Sequence, residues 1–157
     1  MILAGDIGGT NSRLALFEAG GKQLVPIVED VFPSTKYRSL DEIVAAFVLS
    51  HRLPIERACL GVAGPIRDGR AEPVNLPWII DQRQLAATLR LEAIDMINDL
   101  EATAYGISAL EPHDFAVLNQ GAPEAIGNAA VIAAGTGLGE AGLYWDGVSH
   151  RPFATEG

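Results

Sequence analysis

Apolar positions in the first third of the chain come in short runs broken by glycine, proline and polar clusters. Residues 2–7 and 13–17 are two such runs, separated by Gly8-Gly9-Thr10-Asn11. Two short runs around a glycine-rich tetrapeptide predict a β-hairpin whose glycines supply unusual backbone dihedrals. A third run, 24–32, contains Pro26. It predicts an edge or irregular strand, because proline has no N–H to give to a ladder. Ser39-Leu40-Asp41-Glu42 has the S-x-x-E spacing of a capping box. Leu40, Ile43, Val44, Phe47 and Val48 then recur at helical spacing and predict an amphipathic helix over 40–51.

Farther along, Ala58 to Ala63 reads as a buried strand ended by Gly64-Pro65, and residues 65–80, with Pro65, Pro73 and Pro77, read as irregular. Asp81 with Gln84 predicts the cap of a helix running to Leu91. Residues 93–97 form a short apolar run, after which Asn98-Asp99 opens a helix through Leu110. Runs at 115–119, 129–134 and 142–145 are further strand candidates, with a linker over 120–128 and a glycine loop over 135–139. The β-β-β-α-β-α-β-α order implies an α/β fold with a mixed β-sheet, antiparallel at first and parallel afterwards, covered by helices. No internal repeat or low-complexity tract interrupts it, and residues 1–157 are expected to form a single domain.

Composition narrows the partners. Eleven basic residues stand against 20 acidic ones, for a formal charge of −9. Nucleic acid and anionic membrane both need clustered Lys and Arg, so both are excluded as partners. Nucleotides are not, since backbone N–H groups and a metal ion can hold phosphates. The hydrophobic fraction of 48% argues against disorder. The N-terminus lacks a basic stretch, and Asp6 interrupts its apolar run; no segment approaches the ~20 apolar residues of a membrane span, so a cytoplasmic location is expected. Cys59 is the only cysteine, which leaves no internal disulfide. His51, His113 and His150 have no metal-ligand spacing and are expected on the surface.

Three clusters carry candidate chemistry. In Asp6-Ile7-Gly8-Gly9-Thr10-Asn11, two glycines let backbone N–H groups approach a phosphate, and Thr10 and Asn11 add side-chain donors. Asp6, ending an apolar strand, is placed to hold a hydrated Mg²⁺ beside that phosphate. An ordinary polar hairpin turn uses the same residues. In Ala134-Gly135-Thr136-Gly137-Leu138-Gly139, a second glycine loop with a threonine again suits phosphate oxygens. Residues 137–142 match G-x-G-x-x-G, but Leu143-Tyr144-Trp145 reads as a strand where the dinucleotide fingerprint needs a helix, so that reading fails on context. Asn98-Asp99 is the third cluster. Taken alone it reads first as an ordinary helix N-cap; the functional reading is that Asp99 accepts a proton from an attacking hydroxyl while Asn98 orients the same substrate.

Taken in order, these clusters resemble the bacterial glucokinase family of the hexokinase–actin ATPase superfamily. Residues 6–11 and 134–139 resemble its two phosphate loops, and Ile97-Asn98-Asp99 resembles its sugar-site segment. Asn75-Leu76-Pro77-Trp78 and Ala154-Thr155-Glu156-Gly157 also match family segments. The resemblance covers essentially the whole chain and implies a ribonuclease-H-like, actin-like ATPase domain. It further implies ATP and Mg²⁺ as cofactors and glucose or a similar hexose as substrate. Asn98, Asp99, Gly137 and Glu156 would contact the sugar, and Gly8, Gly9, Thr10, Asn11, Thr136 and Gly137 the phosphates. Asp6 would be the acid associated with Mg²⁺, and Asp99 the base for the sugar's 6-hydroxyl.

Family members run to roughly twice this length. They continue past the Glu-Gly pair with a histidine, a second sugar-binding glutamate and a second lobe that holds most of the adenosine. A single lobe cannot close over its substrates, so the 157-residue chain is expected to have little kinase activity alone and to expose surface that favours self-association. A kinase of another hexose, or a non-catalytic sugar-sensing domain, are the rival readings.

Overall fold

The first predicted hairpin forms as β1 (Ile2–Ile7) and β2 (Asn11–Phe17), paired antiparallel from Ile2 opposite Phe17 to Ile7 opposite Ser12. The structure, a computed structural model, describes residues 1–18, 20, 25–73, 75–122, 124–134 and 138–155. Where the sequence suggests one domain, contacts group the chain into two compact units, Met1–Asp99 and Leu100–Glu156.

In the first unit, β3 (Pro26–Pro33) joins β2 antiparallel, while β4 (Arg57–Val62) joins β1 and β8 (Asp95–Asn98) joins β4, both parallel. The order β3-β2-β1-β4-β8 is the expected mixed sheet, antiparallel first and parallel later. Pro26 opens β3 on the sheet's edge, where its missing N–H leaves no ladder bond unmade.

Helix α1 (Leu40–His51) follows the expected periodicity and buries Leu40, Ile43, Val44 and Phe47. Only half of the capping box forms. Ser39 Oγ accepts from the Glu42 N–H at 3.4 Å, but the Glu42 carboxylate accepts from the Arg38 N–H at 2.9 Å, not from Ser39. Helix α2 (Gln82–Leu89) is capped by Asp81, whose Oδ1 accepts from the N–H groups of Arg83 and Gln84. It stops short of Leu91 because Arg90 turns left-handed, with φ 58°.

Residues 65–80, expected to be irregular, contain most of a small sheet: β5 (Ile66–Arg67), β6 (Arg70–Ala71) and β7 (Ile80–Asp81), in that order. One core unites the unit. Leu3, Ile7, Leu14, Leu16, Leu60 and Val62 from the sheet pack with Phe47 of α1, Leu85 of α2 and the buried Trp78. His51, expected on the surface, is partly buried: its Nε2 lies 2.7 Å from Asp30 Oδ2 and its ring 4.6 Å from that of Phe47.

In the second unit, α3 (Asp99–Ile107) is shorter than predicted, and β9 (Ala129–Ala134), β10 (Leu138–Trp145) and β11 (His150–Ala154) form an antiparallel sheet in the order β11-β10-β9. Ala104, Ala141 and Leu143 form its small core. Three expectations change here. Residues 115–119 form no strand, and Phe115, Val117 and Leu118 stay exposed, because no neighbouring strand pairs with that run. Leu138 and Gly139 belong to β10 and not to a loop. Strand β11 is additional; it is polar and contains Pro152, which an edge strand tolerates. Because Leu138–Trp145 is a strand, the helix required by the dinucleotide fingerprint does not open there. Among the described residues no helix is long and apolar enough to cross a membrane.

Candidate functional site

The parallel strands β1, β4 and β8 end level with one another, at Ile7, Val62 and Asn98, which are aligned across the sheet. Ligands of open α/β sheets bind outside such carboxyl ends. Ser12, opposite Ile7, extends the row, so two apolar residues are flanked by two polar ones. Both polar residues are buried, and both are satisfied by ties to the loops at the strand ends. Asn98, 6% exposed, donates from Nδ2 to the Gly64 carbonyl at 3.3 Å, anchoring the loop after β4. Gly64 adopts φ 127°, a conformation that glycine takes without strain. Ser12 Oγ lies 2.9 Å from Ser34 Oγ, which in turn lies 2.8 Å from the Gly8 carbonyl oxygen.

The turn after β1 is closed by the Gly8 N–H donating to the Asn11 carbonyl at 3.0 Å, leaving Gly9 and Thr10 at the tip. The expectation that its glycines supply unusual dihedrals is corrected. Neither Gly8 nor Gly9 is among the positive-φ residues. Their smallness matters instead: a Cβ on Gly9 would sit 3.1 Å from Asn75 Cβ, and one on Gly8 3.0 Å from the Asn11 oxygen. Asn75, part of the Asn-Leu-Pro-Trp segment, thus lies against the tip of this turn. Thr10 and Asn11 are exposed, with side chains able to meet a ligand.

Asp6 lies one residue before the end of β1, on the face opposite Leu3 and Ile7, paired with Arg13 on β2 and Gly61 on β4. Its carboxyl is held above the usual carboxylate range, chiefly by partial burial and then by the charge of Asp99, with Arg13 pulling the other way. Asp99, the residue after β8, therefore makes its negative charge felt at Asp6. Two mutually repelling carboxylates at the carboxyl ends of parallel strands suit a site for a cation or a proton in transit. No group of three or more His, Cys, Asp or Glu side chains that could form a metal cage occurs among the described residues.

Of the residues singled out in the sequence, Asp6, Gly8, Gly9, Thr10, Asn11, Asn98 and Asp99 all fall in the first unit, at the ends of β1 and β8. Gly135, Thr136, Gly137 and Glu156 lie outside the described residues. Sequence reasoning missed Ser12 and Ser34, and singled out Asn75 only as part of a family segment. The signal for Ser12 was available, since period-2 alternation puts it on the same face as Leu14 and Leu16, an odd place for a hydroxyl.

Comparison with known proteins bears on the family and the fold. The sequence model of the family described as Glucokinase matches residues 3–157. A glucokinase of Nostoc punctiforme is 38% identical over 159 residues, covering 100% of this chain and 47% of that protein. The crystal structure of a glucokinase from an Antarctic psychrotroph superposes with a TM-score of 0.82 at 32% identity, over 99% of this chain and 50% of that one. A Balamuthia mandrillaris glucokinase crystallised in complex with glucose superposes with a TM-score of 0.70 at 26% identity, over 99% and 47% of the two chains. The chain thus spans about half the length of the relatives it matches.

Proposed function

The chain belongs to the glucokinase family, with the mixed sheet of one half of an actin-like ATPase fold, and from that premise we propose that the protein phosphorylates the 6-hydroxyl of glucose with ATP. The observation that carries the reading is the placement of Asp6 near the end of β1 and Asp99 just after β8, beside a glycine turn. A phosphate turn, a cation-favouring acid and a second acid for the acceptor hydroxyl are the parts that phosphoryl transfer needs.

In this reading the 6-hydroxyl oxygen attacks the γ-phosphorus of ATP, and Asp99 accepts the hydroxyl proton as ADP leaves. Transfer depends mainly on positioning and charge, so the proton acceptor needs only modest basicity. Asn98, tethered to Gly64, orients the sugar from the end of β8. The Gly9 and Thr10 N–H groups and the Thr10 hydroxyl face the phosphate oxygens. Asp6 is the acid that would hold Mg²⁺ through water. A carboxylate at the end of β1 that feels the negative charge of Asp99 fits an ion that keeps most of its water. When bound, that ion supplies charge neutralisation at the phosphates. The family resemblance assigns Thr136 and Gly137 to phosphate and Gly137 and Glu156 to the sugar.

The test is a hexose panel with the full-length protein, following ADP release. Turnover led by glucose supports the proposal. Preference for fructose, mannose or an N-acetylhexosamine would move the assignment to another hexose kinase of the same fold.

A further inference from the structure

Ser34 follows β3 in a single 3₁₀ turn, fully buried at 0% exposure and outside every cluster so far assigned a role. Its hydroxyl lies within bonding distance of two groups, the Gly8 carbonyl at 2.8 Å and the equally buried Ser12 hydroxyl at 2.9 Å, and its own N–H donates to the Thr10 carbonyl at 2.9 Å. A hydroxyl has one proton, and a carbonyl oxygen can only accept. Ser34 therefore gives its proton to Gly8, and Ser12 gives its proton to Ser34. The direction of the relay follows from that count alone.

The end point of the relay has a geometric consequence. The described peptide bonds include no cis form, and in a trans peptide the C=O and N–H point in opposite directions. A Gly8 carbonyl held toward buried Ser34 turns the Gly9 N–H away from it. Among the described residues, neither the Gly9 nor the Thr10 N–H has a backbone acceptor outside the strand ladders. Two buried hydroxyls facing each other are a poor way to fill a core, since an apolar pair of similar shape would pack without desolvating polar groups. Their joint output is the fixed orientation of one peptide plane in the turn.

We propose that Ser34, backed by Ser12, is a positioning residue that fixes the Gly8–Asn11 turn so that the Gly9 N–H is presented to the terminal phosphates of a nucleoside triphosphate. The identity of the ligand rests on the kinase reading above; the bracing of the turn does not.

The experiment compares wild type with Ser34→Ala, Ser34→Thr and Ser12→Ala in the full-length protein. Ser34→Ala is expected to lower kcat/KM for MgATP by about tenfold or more, as loss of a residue supporting a binding group does, with the KM for glucose unchanged. Ser34→Thr keeps the hydroxyl and should recover most of the loss, while Ser12→Ala should give a smaller loss of the same kind. Amide exchange at Gly8 is read alongside and should quicken by about tenfold in Ser34→Ala as the turn loosens. If wild type turns over no hexose, the kinase reading fails and Gly8 exchange alone decides whether the turn is braced by Ser34. Folded Ser34→Ala with unchanged Gly8 exchange, or with equal losses toward ATP and glucose, overturns the proposal. Should Ser34→Ala not fold, the same two readouts on Ser12→Ala and Ser34→Thr decide it.

Discussion

The carboxyl of Asp6, near the end of β1, is held in its protonated form more tightly than an ordinary aspartate, and part of the cause is the charge of Asp99, immediately after β8. Partial burial is the larger cause, and Arg13 across the hairpin opposes both. A site that concentrates negative charge in this way favours a cation or a proton.

The sign of that effect gives the first prediction. A raised folded-state pKa means the folded protein binds the proton better than the unfolded chain does, so stability is lost as pH rises from the ordinary value of 3.8 through the raised one. At neutral pH ionised Asp6 weakens the fold. Asp6→Asn should therefore melt higher than wild type at neutral pH without divalent metal, the two converging in acid. Added Mg²⁺ should narrow the gap by stabilising wild type alone. Thermal melts across pH check this; a lower melting point for Asp6→Asn at neutral pH contradicts it.

Asn98 is predicted to matter for stability as well as for binding. It is nearly inaccessible, and its Nδ2 satisfies the Gly64 carbonyl. Asn98→Ala should cost about 1–3 kcal/mol, the usual penalty for stranding a buried polar partner. Asn98→Asp should cost more, since it sets a carboxylate oxygen against a carbonyl. Denaturant titration reads both, and a loss below about 0.5 kcal/mol, typical of surface substitutions, would show that the tether is dispensable.

Gly5 marks a place where the core leaves no room. An added Cβ would lie 2.5 Å from Leu60 Cδ2 and 2.9 Å from Leu14 Cδ2, both on fully buried side chains. Gly5→Ala should destabilise by about 1–3 kcal/mol through overpacking. Because Asp6 is the next residue, any displacement of β1 should also weaken metal-dependent nucleotide binding, measurable by titration with MgATP.

The sequence carried much of this architecture, for identifiable reasons. The β1–β2 hairpin, the edge position of β3 and the span of α1 follow from short-range patterns, namely period-2 and period-3.6 apolar spacing and the placement of Pro26. Strand β11 escaped because its polar residues and Pro152 give no local signal; it exists because β10 offers an edge. Residues 115–119 failed in the opposite way, as an apolar run without a strand to pair with. In the site, Asp6 and Asn98-Asp99 were legible as polar residues ending apolar runs. The Ser12–Ser34 pair was not, since residues 22 apart in sequence meet only once β3 has folded back along β2. For the glycines of the first turn the dihedral reason fails, since it is the closeness of Asn75 and Asn11 that leaves no room for a Cβ.

Away from the site, Asp146 supplies an acid-side prediction for the second unit. The N–H groups of Ser149 and Val148 and the Arg151 guanidinium hold its pKa down to about 2. A depressed pKa adds stability that is present above 3.8 and lost as pH falls toward 2. Asp146→Asn should flatten that part of the stability profile. An unchanged slope in acid melts would mean the β10–β11 turn does not depend on the ionised carboxylate.

The most direct test of the central claim is glucose-dependent ADP formation by the full-length protein, with Asp99→Ala beside it. The account predicts that glucose drives turnover and that the substitution lowers kcat by about 10²–10⁴-fold, the range for a lost general base, while the melting point does not fall and MgATP binding is kept. Turnover that survives in Asp99→Ala, or no turnover on glucose by a folded wild-type protein, would contradict it.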